Sequence, residues 1–304
     1  MTPNKPARKA PLRRPAVVAL ALLAVTSMAA AAPVTLQHIH GLAFGADGKQ
    51  LYVASHHGLV TYDNGQWSVI AGPANDYMGF SATRKYFYSS GHPAPGSGLV
   101  NPLGLVRSGN AGRSWDKLGL QGEADFHLIA TGYDTTAVYV YSPEPNARMK
   151  TPGIWATLND GFAWRRAQAN GLQGKVSALA VHPTDTRKLA VATSAGVFLS
   201  SDGGDHFERL AAGGQVLAVQ FSLDGKQLWF ATHDGKAHLF RIDLATQART
   251  EVALPPLTAD AVAYIAQNPA TPSTYAIATF ERDIYVTADA GGGWRQIAER
   301  GHTR

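Results

Sequence analysis

With eleven histidines and no cysteine, this 304-residue chain must rely on imidazole for any strong metal-donor chemistry. The histidines are unevenly placed. His38 and His40 stand two residues apart, as do Asp125 and His127, and Asp76 and Met78. His56 and His57 are adjacent, and His92 sits between Gly91 and Pro93. In extended chain a spacing of two points both side chains the same way, and Glu123 continues the alternation ahead of Asp125. Imidazole suits zinc, copper, iron and nickel, while a thioether adds a preference for soft copper(I). Asp76, Glu123, Asp125 and Glu144 can then serve as ligands or fix imidazole tautomers from behind, with Met149 as a further soft donor.

The elements that must bring these residues together are announced by a repeat. One register recurs: Ser or Thr, any residue, Asp or Asn, any residue, Gly, two residues, then an aromatic. It appears as Ser108–Trp115, Thr157–Trp164, Ser200–Phe207 and Thr287–Trp294. A shortened copy lies at Thr61–Trp67, and a degenerate unit surrounds Phe240–Asp243. Such a turn fastens itself, because the short polar side chains bond its backbone and Gly takes the positive φ. Successive starts are 49, 43 and twice about 43 residues apart, a period that suits a four-stranded propeller blade.

The apolar runs between turns agree. Unit one reads as strands 41–44, 51–55, 59–62 and 67–70, unit four as 178–181, 189–193, 197–200 and 207–210, and unit five as 217–221, 228–232, 238–242 and 250–253. The fold expected is an all-β, six-bladed propeller, with seven blades as the alternative count. In that geometry the start of each inner strand and the loop between second and third strands share one face, and the repeated turns lie on the other. Seven histidines, His38, His40, His56, His57, His92, His127 and His233, map to the first face, together with Met78 and Met149. His182, His206, His238 and His302 read as turn, strand or tail residues held by ordinary hydrogen bonds. Two Pro/Gly-rich insertions, 92–104 and 142–149, belong to the same face and are expected near the channel mouth.

The repeated turns resemble the Asp-box (bacterial neuraminidase repeat) family, which includes sialidases, sortilin-type receptors and photosystem-assembly propellers. The resemblance covers most of residues 34–300. The stretches 38–43 (His-Ile-His-Gly-Leu-Ala), 56–59, 91–93 and 125–128 are similar to an exported bacterial subgroup often labelled glycosyl hydrolase or sialidase-like. In that family the box is structural, so it implies fold and not chemistry. Sialidase chemistry would need three arginines, a Tyr nucleophile with a Glu partner and an Asp acid, with an Arg-Ile-Pro signature ahead of the first box. Here the nearest match is Phe240–Asp243, late in the chain and without the Pro. Arg84, Arg107 and Arg148 are candidates for holding an acidic ligand, and Asp76, Asp125 or Glu144 for a carboxyl pair at the channel.

Residues 1–31 read as a secretory signal peptide: Lys5, Arg8, Lys9, Arg13 and Arg14, then the apolar run 16–25, then small residues with cleavage expected after Ala30 or Ala31. Residues 32–304 then form one propeller domain. The alternatives are an uncleaved anchor and twin-Arg export. Removing the leader takes five of the 27 basic residues and none of the 22 acidic ones, leaving 22 of each. The mature chain therefore lacks the basic footprint expected of a nucleic-acid or anionic-membrane binder. No P-loop, nucleophile elbow or Cys nucleophile occurs. The sequence thus favours a periplasmic or secreted propeller that binds a transition metal, copper ahead of zinc, at the channel mouth. A sialidase-like glycosidase and a non-catalytic propeller holding a peptide or protein partner are the competing readings.

Overall fold

The computed structural model describes residues 1–4 and 34–304, so the expected signal peptide lies almost wholly outside the described residues. The unit Ala31–Arg304 carries all the strands among the described residues. They form six antiparallel sheets, each built from strands consecutive in the chain, five with four strands and the last with five. These are the blades, and six is the count. The inner strands combine apolar and small residues, which fits them to positions covered on both faces by neighbouring blades. The inner strands are Gly41–Phe44, Asp76–Ala82, Leu128–Thr131, Val176–Val181, Gln215–Phe221 and Val262–Gln267.

No blade can bury its faces alone, so the core is a ring of inter-blade layers. Trp229 and Leu239 of blade five pack on Val262, Ile265, Tyr275 and Ile277 of blade six. Blade one meets blade six through Leu36, Val53, Val60 and Trp67 against Ala276, Ile284 and Ile297. The ring is closed there by Leu36 N, which donates to Gly301 O at 2.7 Å, and by Trp67 Nε1, which donates to Ile297 O at 3.3 Å.

The four full turns share one hydrogen-bond plan. In blade four Ser200 Oγ donates to Asp202 Oδ1 (2.8 Å) and accepts from Gly204 N (2.9 Å). Thr157 and Thr287 repeat both contacts, and so does Ser108 with Asn110 and Gly112. Gly204 has φ +90°, a left-handed conformation that suits glycine. The shortened copy in blade one departs from the plan. Asn64 and Gly65 (φ 46° and 88°) form a two-residue hairpin between the paired residues Asp63 and Gln66. Ser200→Ala is expected to cost about 1–2 kcal/mol, because it leaves a buried N–H without its acceptor. Denaturant midpoints check this, and metal uptake should not change, since this turn lies on the face opposite the histidines.

Candidate metal centre at the channel mouth

The inner strands of all six blades surround a central cavity of about 200 Å³. Leu42, Phe80, Ile129, Leu179, Val219 and Ile265 contribute apolar side chains to its wall, alongside the polar Ser81, Thr131 and Gln220. His40 and His127, each immediately before its inner strand, line the same cavity, and no Asp or Glu does among the described residues. Phe280, in the same-face loop of blade six, also lines it and is exposed. Nothing in the sequence singled out Phe280, because a lone aromatic in a loop carries no pattern.

At this mouth two histidine–carboxylate groups sit side by side. The first combines His40, His56 and Asp76, which offer donor atoms all within 4.8 Å of one another. His40 N donates to Ala54 O at 2.9 Å, which fixes the backbone from which the ring projects. His40 Nε2 lies 3.7 Å from Asp76 Oδ1, and His56 Nε2 lies 3.7 Å from Asp76 Oδ2. Two donors on one tetrahedral ion, bonded at about 2.0–2.2 Å, stand about 3.4 Å apart, so the spacing fits. His40 Nε2 and Asp76 Oδ1 are both buried and neither has a hydrogen-bond partner. A buried polar atom left unpaired costs about 1–3 kcal/mol, so such a pair needs a shared partner.

The imidazoles of His38, His40 and His56 lie nearly parallel, with centroids 4.3 Å apart for His38–His56 and 4.8 Å for His40–His56. Protonating several of these rings at once would set like charges against each other. Burial and then the neighbouring His56, His38 and His127 lower the His40 pKa from 6.5 to about 4. Burial also lowers that of His56, against the opposing pull of Asp76. Neutral imidazole is the form that ligates a metal. In the second group His127 Nε2 donates to Asp125 Oδ2 at 2.7 Å, and this hydrogen bond raises the His127 pKa. His92 Nε2 lies 3.3 Å from the same carboxylate oxygen.

These shifts give the metal-free chain a pH-dependent stability. Below pH 6.5 unfolded His40 takes up a proton that folded His40 refuses until about pH 4. Its contribution to stability is therefore complete above 6.5 and is lost as pH falls through that window. His127, with its raised pKa, contributes in the opposite direction, as stability present in acid and lost as pH rises. Comparing unfolding midpoints at pH 7 and pH 5 should show a smaller acid loss for His40→Gln than for the parent. Equal losses would show that His40 is not held neutral by its surroundings.

Several expected participants lie elsewhere. Met149 is fully buried in the core between blades two and three, beside Leu105, Phe126 and Trp155, where it fills space. Glu123 accepts from Ala147 N at 2.7 Å and braces the 142–149 loop. Glu144 is exposed, and only its backbone carbonyl is engaged, by Ser142 Oγ. His57 Nε2 contacts Gln37 Oε1 at 2.9 Å, and His233 is strand-paired with Gln215 in blade five. Met78 is half-buried at a register shift between Tyr77 and Gly79, so the simple alternation expected from Asp76 to Met78 is interrupted. The three arginines do not converge: Arg84 pairs with Asp134, Arg107 with Asp160, and Arg148 with the carbonyls of Gly161 and Phe162. His182 is a turn residue as expected, its Nδ1 accepting from Asp185 N at 3.2 Å. Sequence reasoning also missed Asn101, whose Oδ1 lies 2.8 Å from His92 Nδ1 and ties the 92–104 insertion back to the mouth.

Fold and site together define a six-bladed propeller with a histidine–carboxylate cluster at one end of its central channel. No protein-family model matches the chain, and no curated protein sequence matches it significantly. Solved structures do. The chain is similar to the GH74 enzyme NkGH74 of Niastella koreensis, with TM-score 0.62 and 14% identity over 88% of this chain and 46% of that one. It is similar to the extracellular domain of BT4673 from B. thetaiotaomicron, with TM-score 0.55 and 12% identity over 88% and 34%. It also resembles YCF48 bound to D1 peptide, with TM-score 0.51 and 18% identity over 87% and 83%. The chain thus spans less than half the length of NkGH74 and of the BT4673 domain. At such identities the likeness is one of fold. Among the described residues no helix is long and apolar enough to cross a membrane.

Proposed function

We propose that this protein is an exported propeller that binds a transition metal at the channel mouth through His40, His56 and Asp76, with His38 stacked beside them. The observation that carries this reading is the buried pair His40 Nε2 and Asp76 Oδ1, facing each other without a hydrogen-bond partner. An imidazole and carboxylate donor set without thiolate favours copper(II) over zinc by the general affinity order of divalent ions. Copper is therefore the first candidate and zinc the next. The leader at 1–31 directs the chain to the periplasm or beyond, and the repeated turns support kinship with the Asp-box propellers. Glycoside hydrolysis draws less support, since Asp76 and Asp125, the two carboxylates at the mouth, are each held against a pair of histidines.

Elemental analysis of the untagged protein, purified from the periplasm of an expressing bacterium, tests the reading. Copper or zinc in stoichiometric amount is expected. Metal-free protein that cleaves aryl glycosides would replace this reading with the hydrolase, and metal-free inert protein would leave a partner-holding propeller.

A further inference from the structure

The two histidine–carboxylate groups are the same half-site built twice by the blade repeat. Strand pairing aligns Gly41, Gly79, Leu128 and Ala178 as equivalent inner-strand positions. One residue before them stand His40, Met78, His127 and Ser177, and three before stand His38, Asp76, Asp125 and Lys175. His56 directly follows the second strand of blade one, and His92, at the equivalent register, ends that of blade two, Phe87–His92. In each case this histidine of one blade faces the carboxylate at the start of the next blade: His56 with Asp76, and His92 with Asp125. The series ends at blade four, where Lys175 replaces the carboxylate.

We infer that the mouth holds two transition-metal ions, the second bound by His92, His127 and Asp125. This inference rests on the first site being a metal site. Three observations support it. Asp125 Oδ1 is buried and has no hydrogen-bond partner, as is true of Asp76 Oδ1. In the neutral ring, the contact of His92 Nδ1 with the Asn101 amide oxygen places the proton on Nδ1. Its Nε2 lone pair then faces Asp125 Oδ2 from 3.3 Å, a separation that an ion bound by both atoms would fit. His127 Nε2 lies 2.7 Å from the same oxygen and becomes a ligand when its Nε2 proton is released on metal binding. Both rings are partly exposed, at 43% and 57%, so an ion can reach them from solvent. The register position that His40 fills at the first site belongs to Met78 at the second.

The test is stoichiometry on the metal-stripped, untagged mature chain. Samples are loaded with Cu(II) at about 10 μM free metal, desalted and assayed for metal and protein. Two equivalents are expected for the parent, one for His92→Ala, one for His40→Ala, and none for the double variant. His92→Gln, which keeps the loop filled, should behave as His92→Ala, and circular dichroism confirms that each variant is folded. One equivalent in the parent, unchanged by His92→Ala and lost with His40→Ala, would overturn the second site and leave the first. No bound metal in the parent would overturn both. Two equivalents untouched by either His92 variant would show that the second ion lies elsewhere.

Discussion

His40→Ala should lower the affinity of the mouth for its tightest metal by at least about a hundredfold, since even outer-shell partners of metal ligands are worth 10–100-fold. His40 is the residue through which the site and the channel meet. Its side chain is only 13% exposed, it lines the cavity, and its Nε2 is the buried atom that lacks a partner. The same substitution should leave the fold intact, because the inter-blade layers are built from other residues. Competition against a chelator of known affinity measures the loss, and the parallel variant His206→Ala is the control. His206 belongs to a repeated turn, where its Nδ1 pairs with Asp202 on the opposite face. A loss equal in both variants would mean that the metal is adventitious.

The largest effect on stability is expected from Trp229→Ala, at about 3–5 kcal/mol. Trp229 is fully buried, stacks on Tyr275 with centroids 4.2 Å apart, and fills the layer between blades five and six. Truncating it removes a large apolar area and leaves a cavity that rigid strands on either side cannot close. Trp229→Phe should cost less than half as much, because the aromatic contact with Tyr275 is kept. Urea unfolding checks both. Similar losses for Ala and Phe would contradict the packing account, since the buried Trp229 Nε1 has no hydrogen-bond partner to lose. Metal stoichiometry of the folded fraction should stay at the parental value in either variant.

Much of this molecule was legible in the sequence for a local reason. In the repeated turns the Ser or Thr hydroxyl bonds backbone two and four residues on, so the instruction and its result sit within eight residues of each other. Strand Gly41–Phe44 falls on the residues expected, and His40, His56 and His127 arrive on one face because strand parity dictates it. What the sequence hid depends on partners far away in the chain. The register shift at Met78 is set by how Gly91 and Ser90 pair with Tyr77 and Gly79. The loop carrying Met149 could have turned toward the mouth, and packing against Leu105 and Phe126 turns it into the core instead. The convergence of Asp76 on histidines of the preceding blade, and of Asn101 on His92, needed coordinates.

Calorimetric titration of the metal-stripped, untagged mature protein with Cu(II) and Zn(II), and anaerobically with Cu(I), tests the central claim most directly. The predicted result is saturable binding tighter than about 10 μM for at least one of these ions, with Cu(II) held more tightly than Zn(II), and with one equivalent fewer bound by His40→Ala than by the parent. Absence of saturable heat below that concentration for all three ions would contradict the claim that the His40–His56–Asp76 cluster is a metal centre.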